Sequence, residues 1–235
     1  MPKIRTFLRI TRDYGFEPAV HSAIRDVARP SIRQITLRYR FGFSNDPDDI
    51  RPVWAPVSGI LLDENFPFDP TREPDCFGEA KGPWDKMVKP FDQNIVYRSL
   101  KQRFVDSSRW DETDVYRRAI EKVTSGESAW NGCVSIDDVE TRCDEIENLF
   151  YDIKSSGYQP NQTISSHDID GIALPDHIFL AVDRTGRLIR IDNCRHRLSI
   201  CKILGIEQIP GVILLEHTQN EKQFAEWDFP HEINP

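Results

Sequence analysis

The stretch IRIDNCRHRLSI, residues 189–200, decides how this chain is read. Ile189, Arg190 and Ile191 read as the end of a short strand, and Asp192 and Asn193 are good helix N-cap residues. Arg195, His196 and Arg197 then fall on the first turn of a helix with Leu198, Cys201, Ile203 and Leu204 as its apolar positions. A helix start carries free N–H groups and partial positive charge. Two arginines and a histidine placed there oppose the helix dipole, so stability alone does not favour them. Together they make an anion site, most naturally for phosphate.

Working outward, residues 177–182 read as an apolar strand, Asp183-Arg184-Thr185-Gly186 as a hairpin turn, and Leu188–Ile191 as the returning strand. The phosphate-type helix stops at Gly205, and residues 211–215 form the next strand. Residues 135–155 are the clearest helix. Ser135 and Asp138 make a capping box with a shorter acid, Val139, Ile146, Leu149, Phe150 and Ile153 form an apolar stripe, and Gly157 with Pro160 stops it. Asp137, Asp138, Glu140, Asp144, Glu145 and Glu147 are expected to face solvent. The polar residues 161–175 read as a loop.

Residues 94–124 read as two helices broken near Asp106-Ser107-Ser108, with Asp111-Glu112-Thr113 capping the second. Residues 63–93 form a long stretch rich in Pro, Gly and Asp. Its rings Phe66, Phe68, Phe77, Trp84 and Phe91 predict an ordered loop packed on the core. Residues 32–41 alternate as a half-buried strand with a basic outer face, and residues 57–62 suggest another short strand. The tail offers Trp227 and Phe229 as anchors.

No run approaches the roughly 20 apolar residues of a membrane span. Arg5, Arg9 and Arg12 interrupt the N-terminus, so it does not read as a signal peptide. Five cysteines without a CxxC pair argue against a disulfide framework and a structural zinc site, and a reducing cytoplasm is the expected location. Residues 1–40 hold nine Lys/Arg against three acids, although the whole chain has a net charge of −8. That segment is expected either to touch an anionic surface or to dock on the acidic remainder of its own chain.

The punctuation Leu149-x-x-x-Ile153-x-x-x-Gly157-x-x-Pro160, followed by RIDNCRHRLSICKILGIEQIPGVIL from residue 190, resembles the ParB/sulfiredoxin superfamily over about residues 145–216. Asn193, Arg195, His196, Arg197, Leu198, Leu204, Gly205, Ile209 and Pro210 fall in place. More widely, GPWD at residues 82–85, Arg103-Phe104, WDET at 110–113, Tyr158 with Gln162, and His217 look like an uncharacterised ParB N-terminal-like group. The fold implied is α+β. A small mixed sheet with helices, of ParB/sulfiredoxin type, would occupy residues 94–235 together with a preceding helical segment. Residues 1–93 would be an extension carrying a basic strand and the aromatic loop.

Members of the superfamily bind nucleotides through this helix start: ParB binds CTP, sulfiredoxin uses ATP, and a relative is a free-serine kinase. The resemblance thus implies phosphate contacts at Asn193, Cys194, Arg195, His196 and Arg197, with ATP or another NTP and Mg²⁺ as cofactors. Two departures stand out. Asn193-Cys194 replaces the usual Asp-Gly, which puts a Cβ at a tight strand–helix turn. Cys194 also lies one residue before the sulfiredoxin cysteine position, which Arg195 occupies. One residue is about 100° around a helix, so sulfiredoxin chemistry is not expected.

The expected function is that of a nucleotide-binding phosphotransferase or NTP hydrolase, acting on a small hydroxyl substrate or on water. Arg195 and Arg197 would hold phosphate oxygens, and His196 would hydrogen-bond the transferring group or else be a satisfied buried histidine. Asp192 is open between N-cap, general base and Mg²⁺ ligand. Asp85, beside Trp84, is the second candidate carboxylate or a plain turn residue. No metal-ligand set is identifiable. Cys194 reads as a tolerated small residue, Lys202 as a surface charge, and Trp84, Arg103, Trp110 and His217 as packing or surface residues. The alternatives are a nucleotide-gated DNA-binding or nuclease-type factor, to which the acidic total and the lack of a helix-turn-helix are unfavourable, and a catalytically inactive binding module.

Overall fold

The computed structural model describes residues 40–45, 49, 51–66, 76–158, 167–169, 172–174, 178–191 and 194–220. In chain order the elements are β1 (Arg51–Pro56), β2 (Ile60–Glu64), β3 (Gly78–Ala80), β4 (Val88–Pro90), α1 (Ile95–Phe104), α2 (Asp114–Thr124), α3 (Ile136–Ser156), β5 (His167–Ile169), β6 (Ile172–Leu174), β7 (Ile178–Val182), β8 (Leu188–Ile191), α4 (Arg195–Leu204) and β9 (Gln208–His217).

Seven strands form one mixed sheet in the order β1-β9-β7-β8-β2-β4, with β3 pairing β9 off this path. β7 and β8 are the expected antiparallel hairpin, and β9 runs parallel to β7. β8 is parallel to β2, which is antiparallel to β4. Asp183 ties the hairpin turn. It accepts the Thr185 N–H and hydroxyl at 2.8 and 2.7 Å and the Arg187 N–H at 2.8 Å. Pro210 is tolerated in β9 because, among the described residues, β7 pairs from Gly211 onward and only β1 neighbours β9 at Pro210.

The sheet is buried on both faces. Ile178, Leu180, Val182, Ile209 and Ile213 pack with Val96 and Leu100 of α1, Val115 of α2, Ile146 and Phe150 of α3, and Leu198 and Cys201 of α4. Phe179, Ala181, Ile189, Ile191, Val212 and Leu214 point the other way, onto Phe41, Phe43, Phe77, Ala80 and Trp84. The period-2 alternation of the strands thus feeds two cores. The α+β class and the mixed sheet with four helices agree with the expectation. The rings Phe77, Trp84 and Phe91 are buried as expected, and Phe66 packs against the second core.

Several expectations need correction. A boundary at residue 93 does not separate two sheets, because β1–β4 precede it and β7–β9 follow it within one sheet. The stretch 63–93 holds two short strands, and residues 161–175 include the β5–β6 pair rather than only loop. Short strands with proline or glycine leave no periodic signal. Arg40 and Phe41, at the end of the expected strand 32–41, are helical; residues 32–39, Phe68, Trp227 and Phe229 lie outside the described residues.

Helix ends explain how the helical layer is held. Asn94 caps α1 by accepting the Val96 N–H at 2.9 Å and donates to Asp63 of β2 at 2.7 Å. Thr113 is the N-cap of α2, but its side chain makes no cap hydrogen bond. Instead Ser99 and Gln102 of α1 accept the Val115 and Asp114 N–H groups at 2.9 and 3.1 Å. α3 has the expected Ser135–Asp138 capping box and ends at Gly157. Lys202 is not a surface charge. It donates to the Val57 carbonyl at 2.8 Å and sits over the Phe91 ring, tying α4 to the turn between β1 and β2. Among the described residues no helix is long and apolar enough to cross a membrane.

Candidate functional site

α4 begins without a conventional cap. Its N-cap residue is Cys194, held in the left-handed region at φ +58°, with no side-chain cap hydrogen bond. Neither Asp192 nor Asn193 is therefore the N-cap; both lie outside the described residues, as does any role of theirs at the site. A left-handed φ favours glycine, and here a non-glycine residue accepts the strain.

The first turn of α4 opens into a cavity of about 720 Å³. Its wall comes from five places: the start of α1, one face of α2, the turn at residues 129–131, α3, and residues 194–197. Arg118, Lys122, Arg142, Arg195 and Arg197 line it, and no carboxylate does among the described residues. Ile95, Val96, Val115, Ala119 and Leu149 supply an apolar part. In a chain of net charge −8, a cavity bounded by five cations is a local inversion of sign.

Two guanidinium groups are incompletely satisfied. The Nε atoms of Arg142 and Arg195 are buried without a hydrogen-bond partner. Arg142 also pairs with Glu145 at 2.7 Å, through Nη1. Buried donors without an acceptor are costly.

His196 shares this wall. Its Nε2 accepts the indole N–H of Trp130 at 3.0 Å, and the two rings lie 6.1 Å apart. Burial, then the charges of Arg195 and Arg142, push its pKa from 6.5 down to about 4. The imidazole is therefore neutral at neutral pH, and the positive charge of the site comes from arginine and lysine.

The structure brings together Cys194, Arg195, His196 and Arg197 as expected, but not Asp85. That carboxylate is buried in the other core and held by Arg184, at 2.5 Å from Nε and 2.8 Å from Nη2. Arg184 lies in the β7–β8 turn, at the opposite end of β8 from the start of α4. Burial favours the neutral form of Asp85, but the hydrogen bonds and charge of Arg184 outweigh it and hold the carboxyl below the ordinary value. Asp85 is thus a tether for the GPWD segment, because a group so paired and so placed cannot orient an acceptor at the cavity. His217 and Trp84, both buried, belong to the same tether: His217 Nε2 lies 3.0 Å from the Gly82 carbonyl, and its ring stacks at 5.8 Å on Trp84.

Arg118, Lys122, Arg142 and Trp130 were not singled out from the sequence. Arg142 left a signal all the same. It falls between Val139 and Ile146 on the apolar stripe of α3, at three- and four-residue spacing, where a cation has no reason to be if the stripe only packs. Glu147, expected in solvent, is instead half-buried and accepts from Arg103 and, at 2.8 Å, from the Trp110 indole. Arg103 and Trp110 are accordingly packing and bracing residues.

Among the described residues the wall offers a metal ion no carboxylate. Among the described residues no group of three or more His, Cys, Asp or Glu could hold one. Asp192, the candidate Mg²⁺ ligand, lies outside the described residues, and no step is assigned to the metal. Searched against known proteins, the chain matches no family model, no curated protein and no solved structure.

Proposed function

We propose that this protein binds a nucleoside triphosphate, or another polyphosphate ester, in the cavity between the helical layer and the start of α4. The observation that carries the reading is the wall itself: five cations and, among the described residues, no carboxylate. The partial positive charge at the start of α4 favours phosphate oxygens there, and the surrounding arginines neutralise them. Planar guanidinium forks suit phosphate better than ammonium does, and four of the five cations are arginine. The apolar part of the wall receives the uncharged portion of the ligand, in a volume typical of small-molecule sites.

The reaction for which such a wall is equipped is phosphoryl transfer, in which positioning and charge stabilisation do most of the work. On this reading Arg142, Arg195 and Arg197 hold the negative oxygens, and His196 donates a hydrogen bond to one of them. The resemblance of residues 145–216 to the ParB/sulfiredoxin superfamily favours the same choice of ligand.

Calorimetric titration with ATP, CTP, GTP and tripolyphosphate tests the reading. Wild-type protein is expected to bind at least one triphosphate, and Arg195→Ala and Arg142→Ala to weaken it about ten- to hundredfold each, by loss of a charge-assisted pair. Wild-type protein that takes up none of the four refutes it.

A further inference from the structure

The turn that supplies Trp130 is built against local preference. Trp130, Asn131 and Gly132 have φ of +31°, +62° and +97° in succession, and only the last is glycine. Each non-glycine residue in that region costs of order 1–3 kcal/mol and persists only where its surroundings impose it. Those surroundings are visible. Ala129 and Cys133 close the turn as an isolated bridge, and the Cys133 thiol lies 3.2 Å from the Trp130 carbonyl. The Trp130 ring packs at 5.9 Å on Trp110, whose indole is anchored to Glu147. The result of this bracing is that the indole N–H of Trp130 meets Nε2 of His196 at 3.0 Å.

An indole nitrogen can only donate, so Nε2 of His196 must accept and cannot carry a proton. The ring is neutral at pH 7, so its one proton is on Nδ1. Nδ1 has no partner among the described residues, while His196 lines the cavity. We infer that Trp130 is a positioning residue: it fixes His196 as the Nδ1–H tautomer, so that the ring presents a hydrogen-bond donor to an anion in the cavity. The opposite tautomer would turn a lone pair toward the anion and repel it. The ligand-facing part of this inference rests on the polyphosphate reading, while the tautomer does not.

The ¹⁵N chemical shifts of the His196 ring in ligand-free protein separate the two. Wild type is expected to show protonated Nδ1 and bare Nε2 at pH 7, and Trp130→Phe to move toward the Nε2–H form. A wild-type ring protonated on Nε2, or a tautomer unmoved in Trp130→Phe, overturns the inference even if triphosphates bind. The second arm needs no change at Trp130 and uses tripolyphosphate. The asparagine amide stands near the place of Nδ1 and the glutamine amide near that of Nε2. His196→Asn is therefore expected to bind tripolyphosphate within about threefold of wild type, and His196→Gln to lose tenfold or more. Equal affinity of the two overturns the ligand-facing role. A wild type that binds no tripolyphosphate but shows the Nδ1–H ring overturns that role and the polyphosphate reading, and upholds Trp130 as the residue that fixes the tautomer.

Discussion

Arg190, with no accessible surface in the middle of β8, is paired with Asp63 of the neighbouring strand β2. Glu64 lies 3.4 Å from the same guanidinium, and Asp63 also accepts from Asn94 at the start of α1. A charge inside the sheet thereby positions the helix whose first residues, Ile95 and Val96, line the cavity. Breaking a buried pair from one side leaves the other charge uncompensated. Asp63→Ala is expected to lower stability by about 3–5 kcal/mol. Urea unfolding would show this as a lower midpoint at unchanged slope. A loss under 1 kcal/mol would mean that the remaining partners of Arg190, Glu64 among them, compensate it.

Cys194 holds a left-handed conformation that costs an L-residue roughly 1–2 kcal/mol relative to glycine. Cys194→Gly should therefore raise stability by about 1 kcal/mol, less the entropy glycine adds to the unfolded chain. A β-branched Cys194→Val should lower it by more. Triphosphate affinity should survive the glycine, since the helix N–H groups remain. A destabilised Cys194→Gly would show that the thiol packing, including its 3.8 Å contact with Arg197, outweighs the strain.

Acid should destabilise the protein in two stages. The folded-state pKa of His196, about 4, lies below its ordinary 6.5, so the folded state resists a proton that the unfolded chain accepts. Nothing is lost above pH 6.5, and stability falls as pH drops from 6.5 to 4, by at most about 3 kcal/mol. Asp85 and Asp183 act in the same sense at lower pH. Burial raises both, but Arg184 for Asp85, and the Arg187 and Thr185 donors for Asp183, bring both below 3.8. Their stabilisation is present above pH 3.8 and is lost as pH falls through their lowered values. Thermal melts of wild type and His196→Asn across pH 4–7 check the first stage: the difference between them should be constant above pH 6.5 and shift in the variant's favour as pH falls toward 4. Parallel curves would remove His196 from the account.

A ligand that binds only the folded state stabilises it in proportion to the logarithm of its concentration. A triphosphate at 100 times its Kd should add about 2.7 kcal/mol, which for a chain of this size is a rise in Tm of roughly 5–10 °C. Added salt should reduce the rise, since a wall of five cations attracts polyanions through screened charge. A salt-independent rise would point to the apolar part of the wall instead.

The sequence by itself determined the local features. The hairpin around Asp183, the capped helix starting at Ser135, the stop at Gly205 and the basic first turn after Cys194 follow from turn chemistry, caps and helical spacing. They were legible because each depends on residues within a few positions of one another. Only the tertiary structure decided the rest. β1, β3 and β4 are short strands that exist because partners elsewhere in the chain complete their hydrogen bonds, so nothing periodic marks them. Asp85 and Arg195 looked alike as candidate site residues, yet they lie apart: Asp85 is spent on Arg184, and Arg195 lines the cavity. Arg118, Lys122 and Arg142 join Arg195 and Arg197 only because α2 and α3 fold over the start of α4. Charges distant in sequence become one wall by packing, and packing is long-range.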